Sequence, residues 1–142
     1  MTYNNIYEFF KDDEDLLLYF DPQSKAKDNA EASMEVYHKL LEYSKEGGCY
    51  FKRCGNIGYI FFKKAPIWEK AFGRKNVLIS FCVKPEFRTR YYLTYFSKFI
   101  KKNLGSHFVC CLYTKNSRAL NFLERLGMKK QESNNLITLL SI

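Results

Sequence analysis

Apolar residues in the first twenty positions fall at Ile6, Phe9, Phe10, Leu16, Leu17 and Phe20, with the acidic run Asp12 to Asp15 between them. This spacing predicts two short helical turns, or one helix with a solvated bend at the acidic run. Asp21-Pro22 then marks a turn, because proline pushes the preceding residue out of the α region. Residues 29–46 read as an amphipathic helix with Met34, Tyr37, Leu40 and Leu41 on its apolar stripe, stopped by Gly47-Gly48. The pattern then switches to strand character: Cys49 to Cys54, a turn at Gly55-Asn56-Ile57-Gly58, and a returning strand Tyr59 to Phe62. After a loop through Pro66 and Gly73, the nearly unbroken apolar run Val77 to Val83 predicts a central strand covered on both faces.

Helical spacing resumes from Tyr92 to Lys102 and stops at Gly105, and a second buried strand is expected from His107 to Tyr113. Residues 116–126 form a helix that ends at Gly127, with Leu120, Phe122, Leu123 and Leu126 apolar. A strand from Met128 to Gln131, a turn at Asn134-Asn135 and a strand from Leu136 to Ile142 close the chain as a second hairpin. The expected class is α/β (α+β), a mixed central sheet flanked by helices in a single domain over residues 1–142.

Composition supports a packed core: 46% of residues are hydrophobic and 18% aromatic. No apolar run approaches the roughly 18 to 20 residues that cross a bilayer, and Met1-Thr2-Tyr3-Asn4-Asn5 lacks a secretory pattern. An intracellular, cytoplasmic protein is expected. Cys49, Cys54, Cys82, Cys110 and Cys111 include no C-x-x-C pair and no His at zinc spacing, so they read as small hydrophobes rather than metal ligands or nucleophiles. His38 and His107 stand alone.

Charge is unevenly distributed. Residues 1–70 carry 10 Lys or Arg against 12 Asp or Glu, whereas residues 71–142 carry 13 against 3. The basic second half implies an anionic partner: a phosphorylated cofactor, a nucleic acid or an acidic protein surface.

Two segments carry a family resemblance. Val83-Lys84-Pro85-Glu86-Phe87-Arg88-Thr89-Arg90-Tyr91-Tyr92-Leu93 resembles V-x-P-x-(Y/F)-R-G-x-G-x-(G/A), the cofactor motif of the GNAT superfamily of acetyl-CoA-dependent N-acetyltransferases. Asn116 to Met128 is similar to that family's N-x-x-A-x-x-F-Y-x-x-x-G-F. Together they span about residues 76–142, and the order of elements resembles the family's, with its usual first strand weak or missing. The resemblance implies cofactor contacts at Phe81, Cys82, Val83, Arg88, Thr89, Arg90, Tyr91, Tyr92, Leu93 and Asn116. A loop entering a helix offers an anion free N–H groups and a positive dipole end. The motif's glycines let the backbone approach phosphate closely, but here their places hold Thr89, Tyr91 and Leu93. The family's tyrosine, which protonates the departing thiolate, is replaced by Leu123, and a leucine transfers no proton. Asn116 reads as a helix N-cap. No carboxylate lies in residues 76–83, which leaves Glu69 and Glu86 as candidate bases and Tyr92 and Tyr113 as substitute acids.

The leading expectation is a GNAT-derived binding or structural module that does not catalyse, needs no cofactor and engages another protein. It is loosely similar to acetyltransferase-like virion-associated proteins of short-tailed phages, which would place it in the virion or host cytoplasm. The alternative is an active transferase that uses acetyl-CoA and a primary amine, with the Phe81 to Val83 backbone supplying hydrogen bonds. A third reading is nucleic-acid binding through Lys98, Lys101, Lys102, Lys115, Arg118, Lys129 and Lys130.

Overall fold

The computed structural model describes residues 1–142. Three helices come first: α1 (Tyr3–Phe10), α2 (Leu16–Tyr19) and α3 (Asn29–Ser44). Thr2 opens α1 through a reciprocal cap with Asn5, and the Asp28 carboxylate accepts from Glu31 N–H to open α3. The hairpin β1 (Cys49–Cys54) and β2 (Gly58–Lys63) follows, then a short helix α4 (Ile67–Ala71), β3 (Asn76–Val83), α5 (Arg90–Leu104), β4 (Phe108–Tyr113), α6 (Ser117–Arg125), β5 (Lys129–Ser133) and β6 (Ile137–Ser141). One six-stranded sheet has the order β1-β2-β3-β4-β6-β5. Every neighbour pairs antiparallel except β3 and β4, which run parallel through the α5 crossover.

The sheet separates two apolar layers. On one face Phe96, Ile100 and Leu104 of α5 and Leu120 and Leu123 of α6 pack on Ile60, Phe62, Leu78, Phe108 and Leu140. On the other, Ile6, Phe9 and Phe10 of α1 and Ala32 and Leu40 of α3 pack on Tyr59, Phe61 and Cys82. Each large apolar side chain taken fully from water contributes about 1.5–3 kcal/mol. Asn76 is a buried polar link between the segment before α4 and the end of α5: its Oδ1 accepts from Ala65 N–H at 2.9 Å and its Nδ2 donates to the Leu104 carbonyl at 2.8 Å, so the group is satisfied.

Both hairpins, the central strand and helices α5 and α6 match the sequence pattern. The helix α3 corrects one expectation. Leu40 is buried and Tyr37 partly so, as expected, but Met34 and Leu41 are exposed, and the buried face continues through Ala32 and Ser33 with Val36 beside them. Small Ala32 and Ser33 let α3 approach its neighbours closely, and the Ser33 hydroxyl donates to the Asn29 carbonyl at 2.7 Å. The segment read as a loop after β2 contains α4, and α5 begins at Arg90 rather than Tyr92. Strand β4 is buried only in part, with Cys111 exposed.

That partial burial has a geometric cause. The β3–β4 ladder covers only Asn76–Leu78 against Phe108–Cys110 and then stops. On the other side of β3, Phe61 pairs with Ser80 and Phe62 with Leu78, so Ile79 is an extra residue, a bulge. A bulge bends and twists its strand, and here it sits where β3 and β4 part. The two strands diverge beyond it, leaving the Ile79–Val83 edge open toward β4.

Gly58 fixes the start of β2 against the end of β3. A Cβ there would lie 2.1 Å from the Cys82 carbonyl oxygen and 3.2 Å from Phe96 Cε2. Neither backbone has room to retreat within a paired ladder. Gly58→Ala is therefore expected to lower unfolding stability by about 1–3 kcal/mol, read from denaturant midpoints. An unchanged midpoint would contradict this close approach.

Candidate functional site

Where β3 and β4 part, a cleft of about 930 Å³ opens between α5 and α6. Phe81, Cys82 and Val83 form its floor. Arg90, Leu93, Thr94 and Ser97 line it from one face of α5, while Arg118, Ala119, Phe122 and Arg125 line it from α6. These sets recur at three- and four-residue intervals, as one face of a helix must. Phe10, Asp13 and Leu16 close the third side.

Four arginines, Arg88, Arg90, Arg118 and Arg125, face this space against a single carboxylate, Asp13. The Asp13 side chain is 3% exposed. Its Oδ2 accepts from Arg88 Nη2 at 2.8 Å and Arg118 Nη2 at 3.0 Å, and its Oδ1 accepts from Asp15 N–H at 3.2 Å and Arg118 Nη1 at 3.4 Å. Arg88 also donates through Nε to the Val83 carbonyl at 3.0 Å, and Arg118 lies 4.1 Å over the Tyr19 ring. Asn29 fixes the loop that presents Asp13, donating to the carbonyls of Phe10 and Asp13, both at 2.8 Å. Burial alone would raise the Asp13 pKa, but hydrogen bonds from Arg88 and Arg118, with their charges, outweigh it and hold the carboxyl below its ordinary value.

Seven of the ten positions taken from the motifs line the cleft: Phe81, Cys82, Val83, Arg88, Arg90, Leu93 and Asn116. Thr89, Tyr91 and Tyr92 do not. Thr89 is the N-cap of α5, accepting from Tyr92 N–H at 3.5 Å. It thereby engages a helix-end donor that an incoming anion would otherwise meet. Tyr91 points to solvent beside Arg90 and Tyr95, while Tyr92 packs edge-on against Phe87 at 4.9 Å. No residue of the loop between β3 and α5 has a positive φ, so its backbone torsions accept side chains.

Asn116 caps α6, accepting from Ala119 N–H at 3.2 Å. Leu123 lies in the core on the sheet side of α6 rather than in the cleft. The Cys82 thiol is pushed up to about 12 by burial and stays protonated. Tyr113 is likewise pushed up to about 12, by burial and then by the Asp21 charge, and lies outside the cleft. Glu69 and Glu86 do not reach the cleft, and Glu69 pairs with Arg74. Among the basic residues grouped for nucleic acid, Arg118 is turned inward to Asp13 and Lys130 pairs with Glu124 at 3.5 Å.

Sequence reasoning missed Asp13 and Arg125. Asp13 belongs to an acidic run expected to be solvated. Its signal was its phase: Ile6, Phe9, Phe10, Asp13 and Leu16 continue one helical stripe, so the carboxylate occupies a position that faces inward.

No family model and no curated protein matches the sequence. Solved structures do match. PH1933 from Pyrococcus horikoshii OT3 superposes with a TM-score of 0.58 at 16% identity, covering 98% of this chain and 88% of that one. A GNAT family acetyltransferase from Bacillus anthracis gives 0.55 at 11% identity, covering 99% and 87%. The Campylobacter jejuni N-acetyltransferase PseH, solved with acetyl coenzyme A, gives 0.51 at 13% identity, covering 77% of each chain.

The Asp13 cluster makes stability depend on pH. A carboxyl held below its unfolded pKa contributes fully above the ordinary carboxylate range, and the contribution is lost as pH falls through the depressed folded value. Asp13→Asn is expected to cost about 2–3 kcal/mol at neutral pH, less than for a fully enclosed pair because both guanidinium groups reach solvent. The variant's stability should also fall less steeply on acidification. Parallel acid limbs in the two proteins, followed by denaturation, would contradict the assignment.

Proposed function

We propose that this protein, whose fold is that of the GNAT acetyltransferases, is a binding module that holds an anionic ligand in the cleft between α5 and α6 and does not transfer an acetyl group. The observation that carries this reading is the Asp13–Arg88–Arg118 cluster, which consumes the only carboxylate of the cleft and the arginine of the cofactor loop. A general base for an ammonium acceptor works best with a pKa near the operating pH. Asp13 is shifted the other way. Neither Cys82 nor Leu123 can supply the proton that a departing thiolate needs.

The charged part of acetyl-CoA matches the unpaired arginines of the cleft. Arg90 and Arg125 make no ion pair and would receive phosphate oxygens. The Thr89 cap and the pairing of Arg88 to Asp13 reduce what the start of α5 offers. One feature favours an active transferase as the second reading: the open Ile79–Val83 edge left where the β3–β4 ladder ends. A module of the first kind agrees with the sequence's loose likeness to virion-associated proteins of short-tailed phages, with another protein as its partner.

Two measurements separate the readings. Incubated with labelled acetyl-CoA and a panel of primary amines, the protein is expected to give no transfer above the uncatalysed rate. Turnover that scales with protein and disappears in Arg90→Ala would overturn the proposal. Calorimetry with inorganic pyrophosphate is expected to detect binding that weakens about tenfold in Arg90→Ala or Arg125→Ala, the loss of one charge-assisted contact. Absence of pyrophosphate binding would remove the anion from the proposal.

A further inference from the structure

The helix α4 is amphipathic in the wrong sense for a helix packed on a protein. None of its five residues is buried. Ile67 is 89% exposed, Trp68 65% and the capping Phe72 85%. At about 100° per residue, Ile67, Ala71, Trp68 and Phe72 share an arc of about 140°. The one carboxylate, Glu69, is turned back toward the body, only 22% exposed and 3.7 Å from Arg74. Large apolar side chains on one exposed turn mark an interaction surface.

Charge decides what kind. The segment 63–75 carries Lys63, Lys64, Lys70, Arg74 and Lys75 against Glu69 alone. Lys63 is paired with Glu46, and Lys75 is held by the Ser141 hydroxyl and the Ile142 carbonyl. Lys64 sits 5.6 Å over the Tyr50 ring, and Tyr50 is itself exposed. Lys70 has no ion pair, and Arg74 is 72% exposed beyond its contact with Glu69. Lys64, Lys70 and Arg74 therefore flank the apolar turn in sequence, against the single negative charge of Glu69.

We infer that α4 is a docking element for the surface of an anionic phospholipid bilayer, with Ile67, Trp68 and Phe72 entering the headgroup region and Lys64, Lys70 and Arg74 meeting lipid phosphates. Tryptophan and phenylalanine sit favourably at that boundary, and lysine stems lie along it while their ammonium groups stay in water. A symmetric contact with a second copy would press Lys64, Lys70 and Arg74 against the same three residues, which opposes that occupant. A convex single turn needs a shaped groove in a protein partner, whereas a bilayer boundary conforms to it. The chain contains no helix long and apolar enough to cross a membrane, so the contact is peripheral.

The position leaves the cleft free. The α4 segment leads into Asn76 at the start of β3, and the cleft lies at Val83, the other end of that strand. Eight residues of strand separate them by roughly 25 Å. Docking through α4 does not depend on what the cleft binds.

Trp68 is the only tryptophan in the protein, so its emission reports this turn directly. Vesicles of mixed phosphatidylcholine and phosphatidylglycerol are expected to shift the emission to the blue, and bromine-labelled acyl chains are expected to quench it. Both effects should fade as salt rises, because the lysines act through screened attraction. Lys70→Glu is expected to weaken binding by roughly tenfold or more. Phe72→Ser should weaken it by at least a similar factor through lost apolar contact. These residues are exposed, so circular dichroism of the variants should match the wild type. Unchanged emission with the mixed vesicles would overturn the inference. So would a lipid-free blue shift that grows with protein concentration and is lost in Phe72→Ser, which would assign the turn to a second copy of the chain.

Discussion

A single buried carboxylate holds the cleft end of this molecule together. Asp13 comes from the turn between α1 and α2, Arg88 from the loop between β3 and α5, and Arg118 from the first turn of α6. These segments are far apart in sequence, and Asp13 comes from the layer opposite α5 and α6. Taking a carboxylate out of water costs several kcal/mol unless its partners repay it. Here two guanidinium groups and the Asp15 N–H do so. Removing any partner would leave a charge without compensation, so the arrangement is stable only when complete. The same contacts that fasten the N-terminal helices over the cleft also keep the cleft's one carboxylate ionised and occupied.

The cleft itself is a product of the sheet. A parallel pair must be joined by a crossover, and α5 supplies it. The bulge at Ile79 then turns β3 away from β4 after three paired residues. With both faces of the sheet covered by helices, the gap between the strands is the one place where backbone edge, helix start and charged side chains converge. The fold thus brings Arg88, Arg90, Arg118 and Arg125 together at the end of β3. What chemistry takes place there depends on the side chains. In this chain those are four arginines and one carboxylate, which two of the arginines bind.

Much of the fold was legible because the relevant signals are local. Period-two and unbroken apolar runs locate β1 to β4, and Gly105 and Gly127 end α5 and α6. The arginines of the loop and Asn116 could be assigned to the cleft by motif position alone. Three features were not legible. The buried face of α3 uses Ala32 and Ser33, small residues that hydrophobicity underrates, while Met34 and Leu41 face water. The helix α4 hides in a stretch bounded by Pro66 and Gly73, and it lacks the inward stripe that identifies a helix. Asp13 was obscured by its acidic neighbours, since a run of carboxylates ordinarily stays in water, and only the distant Arg88 and Arg118 make its burial possible.

The state of that carboxylate is the most direct test of this account. Carbon-detected NMR of the Asp13 carboxyl, followed from neutral to acid pH in the ligand-free protein, is expected to show it titrating below the ordinary aspartate range. Arg88→Ala or Arg118→Ala should each move the midpoint upward, as removal of a hydrogen-bonded cation requires. A midpoint at or above the ordinary value, unmoved by either substitution, would mean that Asp13 is not bound by the arginines.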